Sequence, residues 1–155
     1  MKCLVSLALP ADNLNAGDCF PSVDLSSCTK VQEIKFFVGM IPAVTFPFHG
    51  IRETLASVSS RRVQKIVMDF NIDKVDAFDK GFSQGFGGFN VQLTRIASIH
   101  RGNGKTVVKL SAGDPFVLGS YLSDFRTCGV LVLGTRNGGP LGCGGIQWYD
   151  GDGGR

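Results

Sequence analysis

The sequence predicts an α/β fold built as a short solenoid, with a parallel sheet on one face and helices on the other. Three observations predict it. A strand-like template, apolar-x-x-apolar-x-apolar, recurs along the chain. Amphipathic helical segments fall between its copies. The first copies begin about thirty residues apart, enough for a strand, a helix and two turns.

The copies are Leu4, Leu7 and Leu9; Val31, Ile34 and Phe36; Val63, Ile66 and Met68; Val91, Thr94 and Ile96; and Cys128, Leu131 and Leu133. Starts at 4, 31, 63 and 91 give steps of 27, 32 and 28 residues, and the last step is 37. These straddle the upper end of the roughly 20–29 residues of leucine-rich repeats. The expected fold is therefore a leucine-rich-repeat-like solenoid. The fourth copy is the weakest, with a threonine in a core place.

Pro10 to Thr29 has no clean period and reads as loop, with a short turn at Asp24-Leu25-Ser26-Ser27. Phe48, Ile51, Leu55 and Val58 recur at three- and four-residue steps and predict a helix over 48–58. Ser59 to Arg62 break that pattern, and the strand of Val63, Ile66, Met68 and Phe70 follows. A second helix is expected over 75–84, with Val75, Phe78 and Phe82 on one face. Asp76 and Asp79 suit its first turn, where carboxylates complement the helix dipole. An extra strand over 106–110 precedes a third helix over 115–125. Asp114 is that helix's natural N-cap and Pro115 its first residue. Leu118, Leu122 and Phe125 supply its buried stripe. Glycine dominates after Leu133, so residues 134–155 are expected to be a flexible tail beside a repeat-like domain over 1–133.

A length of 155 residues suits one domain, and 43% hydrophobic with 19% charged residues is an ordinary globular composition. A net charge of +3 is too small to argue for a nucleic-acid partner. No apolar run approaches the roughly 20 residues of a membrane helix. The five cysteines include no C-x-x-C pair, so no metal site is expected. Reduced thiols of an intracellular protein, in cytoplasm or nucleus, are the expectation. An alternative is a small secreted protein in which residues 1–11, MKCLVSLALPA, are a signal segment.

Motifs that could carry chemistry are incomplete. Gly104-Lys105-Thr106 resembles the end of a P-loop, but Ile99 stands where the first glycine belongs, and a strand follows instead of a helix. Residues 101–105 read as a turn joining two strands. Gly85, Gly87 and Gly88 lack the third glycine of a dinucleotide fingerprint, Asn90 standing there. They read as a helix C-cap and loop. Asp150 to Gly153 begin like a calcium loop, without the glutamate it requires. His49 and His100 are the only histidines, and no nucleophile signature accompanies them. The acidic series Asp69, Asp73, Asp76 and Asp79 reads as a solvated loop and helix start. No enzyme, catalytic residue or cofactor is expected. A nucleotide-binding or hydrolytic enzyme is the remote alternative.

Five stretches carry a resemblance: DLSSCTKVQEIKFFVG, the apolar helix after it, SSRRVQKIVMDF, VDAFDKGFSQ and YLSDFRTCGVLVLG. Their order resembles the C-terminal leucine-rich-repeat-like region of F-box proteins that form large families in mushroom-forming fungi. The likeness covers Leu4 to Gly134. It implies a substrate-recognition platform of a ubiquitin-ligase adaptor. Nothing before Val31 has the length or helical pattern of an F-box, so direct binding to the ligase linker subunit is not expected. The glycine-rich end lies outside the family pattern.

Solenoids bind partners through the surface of their stacked strands. With the template residues inward, one outward row is Ser6, Glu33, Lys65 and Arg95, and the next is Ala8, Lys35, Val67 and Ala97. Phe37 and Asp69 begin a third. The candidate partner-binding residues are Glu33, Lys35, Phe37, Lys65, Val67, Asp69 and Arg95. Glu33 and Lys65 should be neighbours across strands.

Overall fold

The structure is a computed structural model that describes residues 3–9, 23–41, 48–72, 80–102, 104–112, 115–136 and 146–150. It is α/β, with one sheet built from β1 (Cys3–Leu9), β2 (Val31–Ile41), β3 (Lys65–Ile72), β4 (Val107–Ala112), β5 (Val130–Arg136) and β6 (Ile146–Asp150). Strand order equals chain order. β1 to β5 are parallel, and β6 pairs antiparallel on the β5 edge. Parallel crossovers are right-handed almost without exception, so successive steps in one direction bring the connections to one face. The helices are α1 (Phe48–Ala56), α2 (Lys80–Ile99), α3 (Pro115–Ser120) and α4 (Ser123–Cys128). α1 packs on α2 and α2 on α4.

The core follows the strand period. Val5, Ile34, Ile66, Val108 and Leu131 align as one row across the sheet, and Leu7, Phe36, Met68, Leu110 and Leu133 as the next. From β2 to β5 these side chains are all buried. The helical layer answers with Ile51 and Leu55 of α1 and Val58 just after it, then Phe86, Phe89, Leu93 and Ile96 of α2, then Leu118 of α3, Leu122 between α3 and α4, and Phe125 of α4. Phe86 is central: its ring meets Phe70 edge-on at 6.2 Å and Phe89 at 5.1 Å. Burying each such side chain stabilises by about 1.5–3 kcal/mol.

The template's three-residue step also has a cause. Cys3 faces Val31 while Leu4 faces Glu33, so Gln32 is an extra residue in β2. That bulge lets Val31 and Ile34 both turn inward at a spacing of three.

Buried hydroxyls tie the approaches to β3 and β4 to the unit before. Ser60 donates to the Val31 carbonyl at 2.7 Å, and Thr106 to the Val63 carbonyl at 3.0 Å. The loop before β2 is held the same way. Thr54 of α1 accepts from the Val23 N–H, Ser57 from the Leu25 N–H, and Ser59 donates to the Ser26 carbonyl. The expected turn at Asp24 to Ser27 is present: the Ser26 N–H donates to the Asp24 carboxylate at 3.0 Å. Ser26 holds that carboxyl below its ordinary value, chiefly through its side chain and then its backbone.

Several elements differ from expectation. Val91, Thr94 and Ile96 lie in α2, not in a strand. The buried set of α2 is Phe86, Phe89, Leu93 and Ile96, a 3.6-residue period that the strand template sampled only at Ile96, and Val91 is 61% exposed. The fourth strand is β4, the one expected as an extra. β1 is shifted by two residues, since Val5 and Leu7, not Leu7 and Leu9, face Ile34 and Phe36. Gly85, Gly87 and Gly88 are interior to α2 instead of capping a helix. Gly88 leaves room for Arg52, whose Cδ would lie 3.1 Å from an added β-carbon. The third helix is two short ones, broken at Tyr121 and Leu122. Residues 73–79, which include the first half of the expected second helix, lie outside the described residues, and its second half, 80–84, is the start of α2. β5 continues to Arg136 and Ile146–Asp150 are β6, so these parts of the expected flexible tail are strand. Residues 137–145 and 151–155 lie outside the described residues.

Candidate functional site

The sheet face away from the helices is built from the residues that alternate with the core. Its rows are Glu33, Lys65, Val107 and Val130; then Lys35, Val67, Lys109 and Val132; then Phe37, Asp69, Ser111 and Gly134, with Leu4, Ser6 and Ala8 of β1 paired in register to Glu33, Lys35 and Phe37. Six of the seven expected partner-binding residues, Glu33, Lys35, Phe37, Lys65, Val67 and Asp69, therefore share one surface of β2 and β3, all half-buried. The expected rows are displaced at β1, where Leu4 stands beside Glu33 and Ser6 beside Lys35.

Arg95 is not on this surface. It belongs to α2, and its guanidinium donates to the carbonyls of Leu55 at 2.8 Å, Val58 at 2.9 Å and Ala56 at 3.2 Å. These carbonyls lie at and just after the end of α1, that of Leu55 also accepting the Val58 N–H, and there a cation meets the negative end of the helix dipole. Burial pushes the guanidinium down from its ordinary value. Arg95 is thus a cap between two helices. Asn90, one turn earlier, does the reverse for α4: its amide oxygen accepts from the Phe125 N–H and its amide nitrogen donates to Asp124, each at 3.0 Å. A polar residue inside a 3.6-period apolar stripe was the available signal for Asn90.

The Glu33 carboxylate lies 3.5 Å from Lys35 Nζ and 3.7 Å from Lys65 Nζ, so the expected cross-strand pair is present and a second lysine shares it. At the carboxyl end of the strands, Ser111 donates to Asp69 at 2.9 Å and is fully buried. That end of the face is the more enclosed one. The surface thus offers a carboxylate between two ammonium groups, flanked by Val67 and Phe37, which suits a partner with mixed charge and apolar side chains.

Neither histidine stands beside Asp69 and Ser111. His49 lies on α1 with Nδ1 3.2 Å from Arg52, and His100 follows α2 at the opposite end of the strands. Thr106, the last residue of the P-loop-like triplet, spends its hydroxyl on the Val63 carbonyl. The triplet sits between α2 and β4, not between two strands, and Gly104 takes the φ of +85° that favours glycine. Among the described residues no group of three or more His, Cys, Asp or Glu side chains could hold a metal ion. No described helix is long and apolar enough to cross a membrane.

Comparison with protein families found no matching family, and comparison with curated proteins and with solved structures found no match in either.

Proposed function

We propose that the chain is a non-enzymatic protein-interaction module, a leucine-rich-repeat-like arc whose strand-lined face receives a protein partner. Its role would be similar to that of the substrate-recognition repeats of an F-box ubiquitin-ligase adaptor, working in the cytoplasm or nucleus. The observation that supports this best is one-sided burial of a sheet whose strands follow chain order. Stacked repeats need that order, because each unit then packs only on its neighbours. The hydroxyls of Ser60 and Thr106 repeat one tie between successive units. The binding residues of this reading are Glu33, Lys35, Phe37, Lys65, Val67 and Asp69; Arg95, occupied at the end of α1, leaves the set. The 155 residues by themselves would not bind the ligase linker subunit. A secreted form cleaved near Ala11 would lose β1 and expose the β2 edge, which favours the uncleaved reading.

The test is capture of partners from cell extract on the immobilised protein, followed by repeat capture with variants. Lys35→Gln combined with Val67→Ser alters the open face, whereas Val91→Ser alters the helical layer. The former should lose the partner and the latter keep it, with both melting cooperatively. Reversal of Lys35 and Lys65 to glutamate is a poorer probe, since it would strand Glu33 among like charges. A partner kept by the face variant and lost by Val91→Ser would refute the proposal, as would direct binding of purified linker subunit.

A further inference from the structure

A second surface stands at the amino-terminal ends of the strands, and its charge is invisible in the net value of +3. Three connections meet there. The turn before β2 brings Lys30, the turn before β3 brings Arg61 and Arg62, and the connection from α2 to β4 brings Arg101 and Lys105, all exposed. The Arg101 N–H donates to the Arg61 carbonyl at 2.8 Å, which fixes the last two connections side by side. A cavity of about 530 Å³ opens between them, lined by Gln32, Gln64, Arg61, Arg62, His100 and Arg101. A second, of about 350 Å³, lies on the other side of the same two arginines, against Lys30 and Ser59. Among the described residues none of these five cations has a carboxylate within salt-bridge distance; the pairs present involve Lys35, Arg52 and Lys65.

His100 adds an independent observation. Both of its ring nitrogens are shielded from solvent, and no described protein group hydrogen-bonds to either. Buried polar atoms are nearly always paired, and this orphaned imidazole in the cavity wall, with Gly102 packed against its ring, would gain a partner from the cavity only with a shift of that turn. The carboxyl ends of α1 and α2 also point to this edge, and their dipoles would oppose an anion. At α1 that opposition is removed, because Arg95 occupies the last carbonyls.

We propose that this edge binds a small molecule bearing phosphate groups, with Arg61, Arg62 and Arg101 as its principal ligands. Several unpaired cations around one cavity favour a multiply charged anion over a single carboxylate. Guanidinium forks match phosphate oxygens two at a time, and the amides of Gln32 and Gln64 add neutral hydrogen bonds. The described lining residues include no Phe, Tyr or Trp, and the one ring present, His100, has both nitrogens shielded from solvent, so the cavity offers no row of stacking platforms for bases, which argues against single-stranded nucleic acid. This site is separate from the open sheet face and does not rest on the function proposed for that face.

The experiment is calorimetric titration of the full chain with inorganic pyrophosphate at low salt, with sulfate and single-stranded RNA as further arms. Saturable pyrophosphate binding is expected with Kd on the order of 0.1–1 mM, tighter than sulfate. Arg61→Gln or Arg101→Gln should each weaken it about three- to fivefold, as loss of one exposed ion pair does. Their side chains are exposed and only their backbones are used in the fold, so both variants should stay folded. Arg52→Gln, which removes the same charge from α1, should leave binding unchanged. In NMR spectra the His100 ring resonances should move along the same titration. The proposal is overturned by absence of saturation, by equal weakening in Arg52→Gln, or by His100 resonances that stay still while binding saturates. RNA binding tighter than pyrophosphate and sensitive to the same arginines would replace it with a nucleic-acid surface.

Discussion

One chemical change, glycine to alanine, should have opposite signs at Gly129 and Gly87. Gly129 joins α4 to β5 in extended backbone, φ −130° and ψ −174°, which alanine adopts freely. The obstacle is space. A β-carbon there would overlap the Phe125 ring and stand 2.9 Å from the Thr106 carbonyl oxygen. Neither neighbour can yield easily: Phe125 is fully buried, and that carbonyl accepts the Val130 N–H at 2.9 Å. Overpacking of this kind costs about 1–3 kcal/mol, offset by about 0.4–1 kcal/mol from the stiffer unfolded chain. A net loss of about 1.3 kcal/mol is expected, a fall in Tm of about 3–5 °C for a chain this long. Gly87 is inside α2, and a β-carbon would meet nothing within 4 Å. There alanine should gain about 1 kcal/mol from helix propensity alone. Urea unfolding followed by circular dichroism measures both. Equal or raised stability in Gly129→Ala would refute the packing of α4 on β5, and a loss in Gly87→Ala would refute the open helix face.

Two further outcomes are expected. Arg95→Met should lower stability by about 1–2 kcal/mol, less than a fully buried charged hydrogen bond would because the guanidinium is partly solvated. Arg95→Lys should recover only part of that loss, since one ammonium cannot reach three carbonyls; stability unchanged in Arg95→Met would remove its role at the end of α1. By NMR, Asp24 should titrate below the ordinary carboxylate value, and Ser26→Ala should move it back up. Its folded pKa is depressed, so the stability it contributes is present above the unfolded pKa and is lost as pH falls through the folded one.

The sequence alone determined what local period can carry. Val31, Ile34 and Phe36, then Ile66, Met68 and Phe70, mark strands because side chains alternate across a sheet, and Ile51, Leu55 and Val58 mark a helix because its turns repeat. The same alternation placed Glu33 beside Lys65 and put six candidate residues on one face. Local period could not separate strand from helix at Val91 to Ile96, where the core side chains Phe86, Phe89 and Leu93 begin earlier and run through a glycine stretch that argues against helix. Tertiary packing overrode that propensity, since α2 is held by α1 on one side and α4 on the other. Nor could period find β6, whose pairing with β5 is set by a neighbour distant in sequence and not by its own five residues. The polar ties are tertiary as well. Arg95 on α1, Asn90 on α4, Ser60 on Val31 and Thr106 on Val63 each join residues about 30 to 40 positions apart. The cationic edge has the same origin: Lys30, the Arg61-Arg62 pair and Arg101 are scattered in the chain, and only the parallel stacking of strands, which brings every strand start to one edge, sets their charges side by side.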